Sequence, residues 1–249
     1  MAYYDFLNII FAPLLKLPLV LVVIILAFIV SIIIIVVTKY TTDQTLMKNL
    51  KEETKGYQKQ IKELKNEPAK AMGMQKKAME LNMKYMTHSL KPTLITFIPI
   101  ILIFGWMSAN FAYEGIKPQQ EFSVTAFFQK NTNGEAELIG AEDITIVGDK
   151  IKKIENDEAT WVLKGIGGEY ILEFVYDGEK QQKSILITSK DKYIEPIKKL
   201  SNGQIKAIQI NYTPKKILNL FGWKLGWLGT YIIFSIIFSM TLRKVMKVY

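Results

Sequence analysis

The sequence predicts an α-helical membrane protein with three transmembrane helices, a cytoplasmic antiparallel coiled-coil hairpin, and a small extracellular β-sandwich domain inserted between spans two and three. Three uncharged apolar stretches carry the prediction: Leu17–Val37, Thr93–Ala112 and Leu225–Leu242, of 21, 20 and 18 residues. At about 1.5 Å per helical residue, each can cross a hydrocarbon layer about 30 Å thick. Heptad-like spacing in the first loop and alternating apolar residues in the second predict the hairpin and the β-domain.

The charge of the two loops predicts the orientation of the spans. The first loop, residues 38–92, contains 12 Lys and 6 acidic residues, a net charge of +6, whereas Tyr113–Leu220 contains 15 Lys and 16 acidic residues, a net charge of −1. Short basic loops remain in the cytoplasm. We therefore expect a plasma-membrane protein with its N-terminus outside, and with the hairpin and the basic tail, residues 243–249, inside. The basic face would also attract anionic lipid headgroups.

The first span, residues 17–37, is preceded by an aromatic and aliphatic segment, residues 1–16. Asp5 lies where a secretory signal would carry basic residues, and no small-residue cleavage site follows the apolar run. We therefore expect this segment to lie in the outer membrane interface.

Two helices are predicted in the first loop. Thr42–Lys65 consists of strong helix formers with Asp43 or Thr42 as cap, Asn66-Glu-Pro68 ends it, and a second helix runs from Ala69 to about Leu90. One stripe recurs along the first helix at Leu46, Leu50, Tyr57, Ile61 and Leu64. The second helix carries Met72, Met79, Met83 and Met86 at similar spacing, with Met74 nearby. Two interpretations stay open: the methionines contact apolar clients, since Met adapts to many shapes, or they pack on the first helix.

Hydroxyl residues within the spans collect toward the predicted cytoplasmic side. They are Ser31, Thr93, Thr96, Ser235, Ser239 and Thr241, and Tyr231 shares a helical face with the last span's serines. Each hydroxyl alone can bond its own i−4 carbonyl. Their shared depth predicts a hydrated groove open to the cytosol and closed outside by Trp106, Trp223 and Trp227. Four basic residues are expected to ring its mouth: Lys39, Lys91, Arg243 and Lys244.

The long second loop predicts a β-rich domain, residues 113–219, before the third span, residues 220–242. Six strands are expected: Phe122–Phe128, Ile144–Val147, Thr160–Leu163, Tyr170–Tyr176, Ser184–Thr188 and Ile205–Tyr212. Asp177-Gly178 between alternating apolar residues indicates a hairpin. Their number and spacing suggest an immunoglobulin-like sandwich, with Trp161 in the core and Tyr170 as a corner tyrosine.

The side-chain inventory favours a protein that is not an enzyme. There is no cysteine and a single histidine, His88, so thiol nucleophiles, Cys-ligated metals and His clusters are excluded. Phosphate-binding loops and nucleophile elbows are not found either. We expect no cofactor, no metal and no small-molecule substrate.

Two motifs resemble a known family. Lys91-Pro-Thr-Leu-Ile-Thr-Phe-Ile-Pro99, running on to Phe104-Gly-Trp-Met107, resembles the second core span of the archaeal YidC-like insertases. Gly226-Trp-Leu-Gly-Thr-Tyr-Ile-Ile-Phe-Ser235, ending in Thr241-Leu-Arg-Lys244, resembles their third. The order of spans and hairpin is also similar, so the resemblance covers residues 1–112 and 220–249.

The resemblance implies a membrane-protein insertase or chaperone of the superfamily that includes YidC and the mitochondrial oxidase-assembly translocase. Its hydrophilic groove would admit the polar flank of a nascent client while the client's apolar segment enters lipid. This sequence departs from bacterial YidC in having no cation in its first span. An alternative is a membrane-anchored receptor that docks a ribosome or targeting factor through the coiled coil. A channel subunit is less favoured, because no charged ring lines a span.

Overall fold

A computed structural model describes residues 5–64 and 67–248, except for the side chains of Asp5 and Ala12. The first four residues of the predicted interfacial segment, Lys65 and Asn66 at the predicted helix break, and Tyr249 of the basic tail lie outside the described residues. The helices are α1 Asp5–Phe11, α2 Leu19–Thr41, α3 Gln44–Glu63, α4 Pro68–Phe111 and α5 Trp227–Met246, with a 3-10 turn at Ala12–Lys16.

Three of these helices, α2, α4 and α5, are long and apolar enough to cross a membrane. Helix α4 joins the predicted second hairpin helix to the second span without a break, and it continues through Pro92 and Pro99. The predicted start of the third span is wrong. Residues 220–226 are not helical, because Leu218–Leu220 and Trp223–Leu225 form a two-stranded hairpin before α5 begins.

Contacts divide the chain into two compact units, residues 1–106 with 217–249, and residues 107–216. In the first unit, α2 packs along α5, with Phe28 and Phe238 in edge contact at a centroid distance of 5.2 Å. Phe104 of α4 meets the ring of Tyr231 at 4.7 Å. Helix α1 contacts α4 through Phe11 and Trp106, whose centroids are 5.0 Å apart.

The loop helix α3 begins as the sequence predicts, with Asp43 as its cap. One carboxylate oxygen of Asp43 accepts hydrogen bonds from the amides of Thr45 and Leu46, at 2.9 and 3.0 Å. The buried face of α3 is formed by Met47, Leu50 and Thr54, so Leu50 lies on it whereas Leu46 is only half-buried.

The interpretation that the Met stripe packs on the first hairpin helix is wrong. Four methionines, Met72, Met79, Met83 and Met86, are 61–68% exposed. The covered face of this part of α4 instead contains buried Ala78 and half-buried Met74, Leu81 and Tyr85. Lys77 lies over the ring of Tyr57 of α3, at 6.0 Å from its centroid. Helical spacing places the four exposed methionines on the opposite face of α4 from this covered set.

The second unit is a sandwich of two antiparallel sheets. The five-stranded sheet has the order β3-β5-β1-β9-β8 and the four-stranded sheet the order β4-β2-β6-β7. The strands are β1 Phe122–Phe128, β2 Glu135–Ile139, β3 Ile144–Val147, β4 Ile151–Lys153, β5 Glu158–Gly165, β6 Gly168–Tyr176, β7 Glu179–Ile187, β8 Ile197–Lys199 and β9 Ile205–Ile210. Strands β10 and β11 are the Leu218–Leu220 and Trp223–Leu225 hairpin. All six predicted strands are present, and β2, β4 and β8 were not predicted.

The core of the sandwich is formed by both sheets. Trp161 of β5 is fully buried, contacts Phe174 of β6, and donates its indole N–H to the carbonyl of Lys150 at 2.8 Å. The predicted corner is present, because the hydroxyl of Tyr170 donates to the carbonyl of Ile166, four residues upstream. The predicted Asp177-Gly178 turn joins β6 to β7, and both residues have positive φ.

The chain enters and leaves the sandwich at adjacent points. The amide of Lys215 donates to the carbonyl of Ala112 at 2.9 Å, and Tyr113 forms a β-bridge with Pro214. Tyr193 joins this closure, since its hydroxyl accepts from the amide of Ala112 and donates to the carbonyl of Ser108. Burial raises the pKa of Tyr193 to about 12.

Candidate functional site

A recess of about 300 Å³ lies between α2 and α5. The polar side chains that line it come from the middle of α2 and from one face of α5. The lining residues are Ser31, Ile34, Tyr231, Ser235, Ile236, Ser239 and Met240. On α5 the polar positions recur every four residues, because that spacing returns to the same face of a helix.

The recess has a mixed surface within a segment that is otherwise strongly apolar. Ser31 is 3% exposed and Tyr231 is also buried, whereas Ser235 and Ser239 are half-buried. The hydroxyl of Ser235 donates to the carbonyl of Ile232 at 2.9 Å. A hydroxyl oxygen keeps two acceptor sites after donating, so Ser235 can still accept a hydrogen bond from water or from a peptide in the recess.

Four of the seven predicted groove residues therefore share one recess, and three lie elsewhere. Thr93 and Thr241 are exposed, and they donate to the carbonyls of Ser89 and Ile237. Thr96 is buried, but its hydroxyl donates to the carbonyl of Pro92 at 3.0 Å. These three follow the local pattern in which a hydroxyl bonds its own helix. The polar lining comes from two spans, and not from three.

None of the three tryptophans predicted to close the groove lines the recess. Trp223 is 76% exposed on the hairpin before α5 and covers no recess. Trp106 is fully buried and donates its indole N–H to the side-chain oxygen of Asn8 at 2.6 Å. Trp227, the first residue of α5, packs edge-on against Phe104.

Sequence reasoning missed the apolar half of the lining, which is Ile34, Ile236 and Met240. Ile34 lies three residues after Ser31, and Ile236 lies three residues before Ser239 and four before Met240. Polarity alone does not indicate these three residues, although helical spacing places them beside the serines.

The predicted basic residues lie on three helices. Lys39 is in the last turn of α2, and Arg243 and Lys244 are in the last turn of α5, where a helix dipole favours positive charge. Arg243 follows Ser239 by four residues, so it is the next position on the recess face of α5, about 6 Å further along the axis. Lys91 is exposed in α4, next to Pro92.

Within residues 5–64 and 67–248, no group of three or more His, Asp or Glu side chains is arranged to hold a metal ion. The recess itself contains no charged side chain among its lining residues. The recess can therefore form hydrogen bonds and hold water, and the positively charged Arg243 lies about one helical turn beyond Ser239.

The family model for integral membrane proteins of the EMC3/TMCO1-like kind matches residues 8–134. The match covers α2, α3, α4 and the first strand of the β-domain. The chain belongs to the EMC3/TMCO1-like family. No curated protein and no solved structure matches the chain.

The EMC3/TMCO1-like family is part of the Oxa1/YidC/Alb3 insertase superfamily, so membership indicates a function in membrane-protein insertion or as a membrane chaperone. It agrees with the resemblance at the level of the superfamily. The α2 wall of the recess lies within the matched residues, and the α5 wall lies beyond them.

Proposed function

We propose that this EMC3/TMCO1-like protein is a membrane-protein insertase or chaperone that passes client segments into the bilayer through the recess between α2 and α5. The observation that carries the proposal is a recess with Ser31, Tyr231, Ser235 and Ser239 in its lining, inside helices apolar enough to span a membrane. Two such helices could pack through apolar side chains alone, and a polar group in hydrocarbon costs free energy unless it is paired. The polar lining is therefore better explained by a function than by helix packing.

The recess would lower the barrier for the polar flank of a client segment. Moving a charged or polar group through bare hydrocarbon costs several kcal/mol, and a wetted recess with hydroxyl partners shortens the apolar path. Burial of the client's apolar segment in lipid then drives the step, so no nucleotide or cofactor is needed.

We further propose that the recess opens toward the cytosol of a plasma membrane, with the N-terminus outside. The net charge of +6 on residues 38–92 supports this orientation. Lys39, Arg243 and Lys244 would then stand at the mouth, where they would attract acidic client flanks and anionic lipid headgroups.

The exposed methionines of α4 would contact nascent clients before these enter the recess. Met72, Met79, Met83 and Met86 lie uncovered, with side chains that adapt to many apolar shapes. Photo-crosslinkers at Met79 and Met83 are expected to react with a stalled nascent membrane segment, whereas one at half-buried Met74 reacts weakly. Equal yields at the three positions would contradict an oriented client surface.

Liposome reconstitution tests the recess. Ser31→Leu and Ser235→Leu should each reduce insertion of a client with a short polar translocated end, because Leu fills and dries the recess. The matched control is Thr93→Leu, which also removes a hydroxyl from a predicted span but does not line the recess. Insertion by Ser31→Leu and Ser235→Leu at the wild-type level, in folded protein, would overturn the proposal.

The basic hairpin with its uncovered methionines also favours a second candidate, a receptor that docks a ribosome or targeting factor. The same variants separate the two functions. A receptor would retain binding of ribosomes to proteoliposomes and client insertion in both recess variants, and would lose them when the four exposed methionines are replaced by Ser.

A further inference from the structure

The hairpin before α5 has a defined and unusual surface. Its strands pair Leu218 with Leu225, and Leu220 with Trp223, across a two-residue turn. The turn residues Phe221 and Gly222 both have positive φ, 50° and 96°, as in the type I′ turns that suit tight hairpins. The amide of Gly222 donates to the side-chain oxygen of Asn219 at 3.0 Å, which further fixes the turn.

The two faces of this hairpin differ in polarity. Directly paired residues of an antiparallel hairpin point to the same face, so both pairs above lie on one face and Asn219 with Lys224 lie on the other. On the apolar face Leu218, Leu220 and Leu225 are half-buried and Trp223 is exposed, and Leu225 approaches Gly229 in the first turn of α5. The hairpin is therefore amphipathic and rests against the start of a span.

Its largest apolar side chains are uncovered by the described part of the chain. Phe221 is completely exposed, and Trp223 is 76% exposed. An isolated two-stranded hairpin is marginal in water, and exposed apolar side chains grouped in this way mark an interaction surface.

The position of the hairpin selects its partner. Trp227, the first residue of α5, follows the turn residue Gly222 by five residues, so at about 3.4 Å per extended residue the turn lies within about 17 Å of it. The other end of the hairpin touches α5, because Leu225 approaches Gly229. The hairpin therefore begins at the level where a membrane protein meets the headgroups and the ends of the acyl chains. Trp with a neighbouring Lys is the side-chain combination that this zone favours, because an apolar body enters the acyl boundary while the charged end stays wet.

We propose that the hairpin Leu218–Leu225 is a lipid anchor, which inserts Phe221 and Trp223 into the membrane interface at the N-terminal end of α5. Its partner is the acyl and headgroup boundary of one leaflet, entered to about 5–10 Å as interfacial amphipathic elements do. The anchor fixes the depth and rotation of α5, since interfacial Trp and Lys side chains set both. It needs α5 to be a span, and it does not depend on insertase activity.

The sequence contains no cysteine, so single-Cys variants of the full chain can report depth directly. Phe221→Cys and Trp223→Cys, labelled with an environment-sensitive fluorophore, are measured in client-free liposomes against Lys224→Cys on the opposite face and Ile232→Cys within α5. We expect probes at 221 and 223 to be quenched several-fold less by iodide than the probe at 224. Lipids brominated near the headgroup should quench them best, and lipids brominated near the methyl end should quench position 232 best.

Two outcomes would overturn the anchor. Iodide quenching at 221 and 223 equal to that at 224 would place the hairpin in water. Protection from iodide with no quenching by either brominated lipid would mean that protein, and not lipid, covers the hairpin. A second measurement avoids the labels, since the difference in emission between the wild type and Trp223→Phe isolates one tryptophan. Brominated lipid should quench that difference signal, and its failure to do so would also reject the anchor.

Discussion

At the scale of single residues, the same hydroxyl chemistry serves two purposes in the membrane helices. Thr93, Thr96 and Thr241 donate to carbonyls of their own helix and lie outside the recess. Ser235 also donates to its own helix, yet it lines the recess together with Ser31 and Ser239. Depth along the helix, which can be estimated from the sequence, does not separate the two groups. The direction of each side chain around the helix axis does, and this depends on which helices pack together.

Trp106 offers a prediction about the start of the chain. Its indole N–H donates to Asn8 at 2.6 Å while its ring packs on Phe11. Trp106→Phe keeps most of the ring contact and removes the donor, so α1 should lose about 1 kcal/mol of docking stability. Amide hydrogen exchange in α1 should then be several-fold faster. Asn8→Ala is the partner variant: in the double variant the two losses should not add, and full additivity would show that the hydrogen bond contributes nothing.

Tyr193 predicts how the β-domain responds to alkali. Burial raises its pKa to about 12 from an ordinary value near 10, so the folded domain holds the neutral phenol. Its contribution is therefore complete below about pH 10 and is lost as pH rises through about 12. The urea midpoint of the domain, followed by near-UV circular dichroism, should fall across this range.

The control for Tyr193 is Tyr193→Phe, which removes the ionising group together with its bonds to Ser108 and Ala112. This variant should be less stable at neutral pH and should fall less between pH 10 and 12. Burial also raises the pKa of Tyr212, so a smaller decline remains. An unchanged decline in Tyr193→Phe would assign the alkaline effect to other groups.

At the scale of elements, the sequence predicts where helices and strands occur better than it predicts which face of a helix is buried. The bounds of β1 and β3 are those that the sequence predicts. Each strand is followed by a turn that contains a residue with positive φ, Asn131 after β1 and Gly148 after β3. The sequence does not decide whether the Met stripe is covered, because residues 72, 79, 83 and 86 share the helical spacing of the covered set that contains Ala78 and Leu81. Both faces of α4 have the same helical period, so spacing alone does not tell which face is buried. Tertiary packing decides which face is covered, and it buries Ala78 while it leaves the four methionines exposed.

Helix α3 gives a prediction about its first turn. Asp43 accepts from the amides of Thr45 and Leu46, so Asp43→Ala leaves both donors without this partner and should destabilise the turn by about 1 kcal/mol. Hydrogen exchange at these two amides should rise several-fold. Asp43→Asn keeps an acceptor and should exchange nearly as the wild type does, whereas equal exchange in the Ala variant would mean that the cap is dispensable.

The whole molecule combines a membrane part, of which α2, α3 and α4 lie within the family match, with a β-domain whose two chain ends are adjacent. The family match ends at residue 134, shortly after β1, so most of the sandwich lies beyond it. The sequence predicts that such a domain exists from length and alternation alone. It does not predict the hairpin before α5, because Phe221-Gly-Trp-Lys-Leu is apolar enough to be taken for the start of the span. The difference is decided by two residues with positive φ.

The closure of the β-domain leads to a prediction about its independence. Its buried core lies entirely between Ile116 and Tyr212, and the backbone bond from Lys215 to Ala112 brings its ends together. A fragment of residues 112–216 should therefore fold in water without the spans, with a near-UV circular dichroism signal and a cooperative urea transition. The same fragment with Trp161→Ala should be about 3–5 kcal/mol less stable, because a fully buried side chain is replaced by a cavity. A fragment without a cooperative transition would mean that the membrane part is needed to hold the two sheets together.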